Sequence, residues 1–294
     1  TPLFPVSTAD GEYITDTSLI PKEGVWSLAH LTGHYMPYSY ANVFEKLGYT
    51  SQAYHNNTAT YYKRNSYIEA MGYDSFKACG KGLDIHCRIW PQSDLEMIEK
   101  TVEDYIHDDH FMAYYMTVSG HLEYSRYGNQ MVSKNWSMVK DLPYSDKAKS
   151  YLSCNIELDR AIAKLIEELE KNGKLEDTVI AISGDHYPYG LTLDEINELS
   201  TYERDENFEI HHMPFLLWNS EMEEAVKVDK YASSLDVLPT ILNLFGVEFD
   251  SRLLMGRDIL SDSDGLVIFS NRSFITDKGK YNAITKKMEK FSED

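Results

Sequence analysis

Short apolar runs alternate with helical stripes along this chain of 294 residues, the pattern of a sheet covered by helices on both faces. Residues 111–118 (FMAYYMTV), 178–183 (TVIAIS) and 213–218 (MPFLLW) read as buried strands. Between the first two, Leu158, Ile162, Leu165, Ile166 and Leu169 fall on one helical face, with Ser145 as N-cap and Gly173 as stop. A second helix is predicted over residues 94–107. A third is predicted over 235–245, with Pro239 as an interior irregularity. No repeat, heptad series or low-complexity tract interrupts the pattern. The expectation is an α/β chain with a central, mostly parallel sheet and helices on both faces. It is read as one domain over 1–294, with about 245–294 forming a small C-terminal subdomain.

Composition narrows the partners. A formal charge of -19 excludes nucleic acid, whose binding depends on Lys and Arg neutralising phosphates. The same charge repels an anionic bilayer, so an anionic lipid substrate needs a locally inverted field and a tether that raises its effective concentration. No run of about 18 apolar residues is present for a membrane span. The opening Thr-Pro-Leu-Phe-Pro has no basic or apolar leader character, so an anchor is expected upstream of this segment. Three cysteines are too few for a disulfide framework; Cys79 and Cys87 either close one small loop or stay reduced, and Cys154 is left over.

The sharpest chemical feature is residues 180–187, an apolar strand running into Asp185 and His186. Ligands of open α/β sheets collect at the carboxyl ends of strands, so this pair stands where a metal or a phosphate would be held, unless Asp185 only caps the next turn. Near the amino terminus, Thr8 lies at the start of a predicted helix, where free N–H groups and the dipole favour an anion; an N-cap is the plainer alternative. Asp10 and Glu12 read as carboxylates that favour the first helical turn.

Taken together, these segments resemble the phosphoglycerol transferases of the lipoteichoic acid synthase family, within the alkaline phosphatase-like superfamily. Ser-Thr-Ala-Asp-Gly-Glu-Tyr (7–13) is similar to that family's nucleophile segment, with Thr8 on the catalytic threonine, and Ser-Gly-Asp-His-Tyr (183–187) to its metal-binding segment. Thr-Val-Ser-Gly-His (117–121) puts His121 on the substrate-site histidine. Residues 54–64 resemble the loop of head-group contacts, with His55 and Arg64 at matching positions. Residues 235–242, 255–258 and 271–276 extend the likeness downstream, so that it covers nearly the whole chain. Asn57 stands where the family commonly has Asp, Tyr62 where it has Trp, and Ser7 where a basic residue precedes the nucleophile. The family's remaining metal ligand, a Glu on the first sheet strand, has no counterpart in the seven residues before Thr8.

The resemblance implies an alkaline phosphatase-like sandwich facing outward from a bacterial cell membrane. It implies a cation held by Thr8, Asp185 and His186: Mn²⁺ by resemblance, with Mg²⁺ or Zn²⁺ also suited to the donor set. Thr8 would be the nucleophile and His121 the acid for the departing oxygen, while His55, Asn57, Tyr62, Arg64 and His121 would contact the substrate. His212, beside His211, is added because relatives in the wider superfamily present a histidine there. The implied reaction moves glycerophosphate from a phosphatidylglycerol-type anionic phospholipid to a glycolipid or glycerophosphate-polymer acceptor. A phosphoethanolamine transferase and a non-catalytic head-group binder remain alternatives. A sulfatase activity is disfavoured, because no cysteine lies in a C-x-P-x-R context.

Overall fold

The computed structural model describes residues 8–291. The first of its three sheets is parallel and holds β1 (Thr50–Thr58), β2 (Ser75–Cys79) and β3 (Phe111–Met116), with β1 in the centre. The second pairs β4 (Ile180–Ser183) with β5 (Phe215–Trp218) antiparallel. The third is a four-stranded antiparallel sheet of β6 (Leu266–Ile268), β7 (Phe274–Thr276), β8 (Gly279–Asn282) and β9 (Lys287–Lys290). The α-helices are α1 (Thr8–Thr17), α2 (Tyr40–Lys46), α3 (Arg64–Ala70), α4 (Asp94–Thr101), α5 (Gln130–Asn135), α6 (Asp146–Lys171), α7 (Leu193–Glu198) and α8 (Val237–Leu244). Among the described residues, no helix is long and apolar enough to cross a membrane.

The apolar-run reading passes over β1, because the strand is mostly polar. Ser51, Gln52, His55 and Asn56 are nevertheless buried in it. Partners from other elements offset this burial for Ser51, His55 and the Asn56 amide nitrogen, while Gln52 Oε1 and Asn56 Oδ1 meet no donor among the described residues. Ser51 N–H donates to Asp74 Oδ2 (2.7 Å), Asn56 Nδ2 to Asp94 Oδ1 (2.7 Å), and the His55 ring bonds to the Met116 carbonyl (2.9 Å). Residues 54–64 are therefore not a loop: they are the carboxyl end of the central strand, a 3-10 turn at Tyr61–Lys63 and the start of α3.

The longest helix follows its sequence signals. Ser145 Oγ accepts from the Ala148 N–H (3.3 Å), and Gly173 takes φ +67° just past the last turn. The face bearing Leu165 and Leu169 joins Tyr54, Tyr105 and Ile106 in one core cluster, which also takes in Ile180 of β4. A second cluster packs Val43 and Phe44 of α2 against Leu238 and Leu242 of α8.

Other boundaries differ from expectation. The predicted helix over 94–107 is α4 followed by a 3-10 turn at Val102–Asp104, since Thr101 leaves helical geometry (φ -124°) and turns Val102, Tyr105 and Ile106 into the core. Pro239 is no interior irregularity: α8 begins at Val237, so the proline lies in the first turn, where its missing N–H has no intrahelical partner anyway. Residues 213–218 are not a buried strand either. Pro214 delays its start to Phe215, and on this edge strand Leu216 and Trp218 are 54% and 36% exposed.

Candidate active site

Helix α1 is pressed against the loop that follows β4. A Cβ at Gly11 would stand 2.5 Å from the Asp185 carbonyl oxygen and 2.8 Å from its Cα, so only glycine permits this approach. Thr8 lies one helical turn before Gly11 on the same face. Folding thus brings the amino-terminal threonine segment and the 183–187 segment together, and Ser7 lies outside the described residues.

Asp185 and His186 form a half-exposed corner. Asp185 Oδ1 accepts from the His186 N–H (2.9 Å), and Oδ2 faces His186 Nε2 at 3.4 Å. His186 Nδ1 bonds to the Tyr187 carbonyl (2.8 Å), which can only accept; Nδ1 therefore carries a proton, and Nε2 is the nitrogen left for a cation. The Tyr189 ring lies 4.6 Å from the imidazole and steadies it. A carboxylate oxygen and an imidazole lone pair directed at each other fit a divalent cation. Among the described residues, no group of three His, Cys, Asp or Glu side chains converges in this way, so the corner offers two ligands of those types.

Behind this corner lies a buried polar cluster. The Arg64 fork donates to both oxygens of Glu12, Nη2 to Oε2 at 2.7 Å and Nε to Oε1 at 3.2 Å, and Tyr67 Oη donates to Oε1 at 2.9 Å. Arg64 Nη1 reaches His55 Nε2 at 3.2 Å. Burial pushes the Glu12 carboxyl up while Arg64 and Tyr67 draw it back, and the two-pronged contact is that of an ion pair. Burial likewise works against the Arg64 cation, and Glu12 overcomes it, leaving the guanidinium above its ordinary value. Burial and the neighbouring Arg64 charge push His55 down to about 3, so its ring is neutral.

The remaining candidates are more dispersed. The His121 Nδ1 bonds to the Leu122 carbonyl (2.9 Å), and its ring meets Trp90 edge-on at 5.0 Å. Trp90 is held by its own Nε1–H donated to Leu122 O (3.2 Å). Cys79 and Cys87 are joined in a disulfide, closing the loop that leads from β2 towards Trp90. Asn57 turns its Oδ1 onto Thr58 N–H (2.7 Å). The Tyr62 ring covers Arg64 at 5.3 Å and packs against Trp26 at 5.1 Å. His212 is directed elsewhere, with its ring 64% exposed and bound to Tyr202 Oη (2.8 Å). Its neighbour His211 is the one that packs against the corner, 5.2 Å from the Tyr187 ring.

Sequence reasoning missed the place of Glu12, which is buried and not a solvated first-turn carboxylate. Its partner Arg64 is 52 residues away and leaves no local trace. The available hint was Gly11, a glycine inside a helix, which marks close approach of another backbone.

Residues 37–247 match the family described as Sulfatase. Lipoteichoic acid synthase 2 of Bacillus subtilis (strain 168) is 27% identical over 300 residues, covering 93% of this chain and 43% of that protein. The chain thus spans less than half the length of that curated relative. Among solved structures, the lipoteichoic acid synthase LtaP from Listeria monocytogenes superposes with a TM-score of 0.80 at 21% identity, over 100% of this chain and 76% of that one. The Streptococcus pyogenes phosphoglycerol transferase GacH, in complex with sn-glycerol-1-phosphate, gives 0.60 at 16% identity, over 85% and 64% of the respective chains.

Proposed function

This chain belongs to the sulfatase family, and from that premise we propose that it transfers glycerophosphate from a phosphatidylglycerol-type lipid to a glycan or polymer hydroxyl, with Thr8 as nucleophile. The observation that carries the reading is the contact of Gly11 with Asp185, because it seats the Thr8 face of α1 against the Asp185–His186 corner. The names of the relatives, lipoteichoic acid synthase and phosphoglycerol transferase, support the same chemistry.

Thr8, Asp185 and His186 would hold a divalent cation, Mn²⁺ in this reading, which when bound lowers the hydroxyl pKa and draws charge from the phosphoryl oxygens. The Thr8 oxygen attacks phosphorus and gives its proton to solvent water, and the bond from phosphorus to the diacylglycerol oxygen breaks. Protonated His121 supplies that departing oxygen with a proton through Nε2, since Nδ1 is engaged by Leu122 O. Transfer reverses the roles: the acceptor hydroxyl attacks the glycerophospho-threonine and gives its proton to neutral His121, while the bond from phosphorus to the Thr8 oxygen breaks and that oxygen takes a proton from solvent water. Arg64, with two guanidinium N–H bonds beyond its contacts to Glu12 and His55, would receive the phosphate, and His55, its two ring nitrogens taken by Met116 O and Arg64, would steady that fork and not touch the donor.

Substituting Thr8 by Ala should abolish diacylglycerol release from phosphatidylglycerol while circular dichroism stays unchanged. Turnover retained in that folded variant would overturn the reading. Release from phosphatidylethanolamine in preference to phosphatidylglycerol would instead favour a phosphoethanolamine transferase.

A further inference from the structure

One line of buried polar contacts passes through three of the elements that carry candidate residues and ends on a fourth. It starts at Glu12 on α1, which receives the Arg64 fork and the Tyr67 hydroxyl from α3. Arg64 then donates to His55 Nε2 on β1, and the His55 Nδ1 meets the Met116 carbonyl at the end of β3. Arginine has no acceptor atom, so the His55 Nε2 must accept and Nδ1 must carry the proton; the ring is locked in one tautomer and one orientation. Glu12, Arg64, His55 and Tyr67 are each 3% exposed or less, so water does not compete for these bonds.

The carboxylate is the one anion in this line. Without it, Arg64 would be a buried cation with no partner of opposite charge, and no other contact among the described residues would fix both prongs of its fork. Two of the five guanidinium N–H bonds lie beyond the contacts to Glu12 and His55, and only a fixed fork aims them.

We propose that Glu12 is a positioning residue: its carboxylate holds the Arg64 fork, which is braced on its other side by the His55 ring, so that the two remaining guanidinium N–H bonds are aimed at the phosphate-bearing end of the donor. The link from Glu12 to Arg64 and His55 stands on the contacts alone, whereas its effect on the donor rests on the transferase reading.

The test is steady-state release of diacylglycerol from phosphatidylglycerol micelles by the 1–294 chain and its Glu12→Gln variant. The donor KM should rise by about 10- to 100-fold, the range for losing a hydrogen bond to a charged group, with kcat changed several-fold less. In an Arg64→Lys background, Glu12→Gln should add little, because its effect is exerted through the fork. Glu12→Asp should restore part of the loss. An unchanged KM in folded Glu12→Gln protein, or a full second loss in the Arg64→Lys background, overturns the proposal. Should Glu12→Gln fail to fold, Tyr67→Phe removes only the hydroxyl on Oε1; a KM shift in the same direction supports the assignment and none overturns it. The ¹⁵N spectrum of histidine-labelled protein separates the two layers. A His55 Nε2 resonance that moves in Glu12→Gln shows the coupling even if no lipid is turned over, in which case the donor reading falls and the coupling stands. A His55 resonance that does not move overturns the coupling.

Discussion

The Glu12–Arg64–His55 cluster and the Asp185–His186 corner meet at α1, and they are built in opposite ways. In the cluster the carboxylate and imidazole are saturated from within the protein, and burial is nearly complete. In the corner, Asp185 is 32% exposed, and its Oδ2 and the His186 Nε2 stand 3.4 Å apart. The protein has spent its own donors on orienting the first and has left coordinating atoms free in the second. A region finished internally holds geometry, and a region left open at a strand's carboxyl end is where an outside charge can be received.

The contrast breaks most visibly at Asp185. Asp185→Asn, nearly isosteric and half-exposed, should lower transfer by about 10²–10³-fold, the scale of losing one electrostatic contact to the reacting group. Its unfolding free energy should stay within about 0.5 kcal/mol of the parent. A variant that loses stability and keeps its rate would show that the corner is structural. Gly11→Ala couples the two regions, since the added Cβ would stand 2.5 Å from Asp185 O and must push α1 away from it. A loss of about 1–3 kcal/mol is expected in denaturant titration, with a matching loss of transfer; an unchanged midpoint would mean that the contact gives way without consequence.

The gentlest probe is pH. His55 is pushed from 6.5 down to about 3 by burial and by Arg64, so the unfolded chain binds its proton first as pH falls. Its share of stability is whole above about 6.5 and declines below it, by about 1.4 kcal/mol per pH unit, until about 3. His55→Gln should flatten that part of the stability profile. A slope that survives the substitution would assign it to other groups.

The candidate segments stand out in the sequence because each is contiguous. Thr8, His121, Asp185 and His186 each stand in a short local pattern, and a resemblance can find such patterns without knowing the fold. His212 rests on the region where relatives in the wider superfamily present a histidine, which does not distinguish it from His211. The structure packs His211 on Tyr187 and leaves His212 with Tyr202, a choice made by the surroundings and not by the pair itself. The pairing of Cys79 with Cys87 stayed open in the sequence, because an eight-residue separation permits a bridge without requiring one.

By itself the sequence determined what depends on neighbours along the chain: the Ser145-capped helix with its apolar stripe, the existence of strands near 111, 180 and 215, and the order of the motifs. Tertiary structure decided which polar residues are buried. Ser51, His55 and Asn56 are buried in the central strand, and Glu12 joins the core, where Asp74, Met116, Asp94 and Arg64 each give one of them a partner. The reason is physical: apolar periodicity is a local quantity that a short window reveals, whereas burying a polar side chain costs least where a partner brought from far along the chain meets it, and no window contains both.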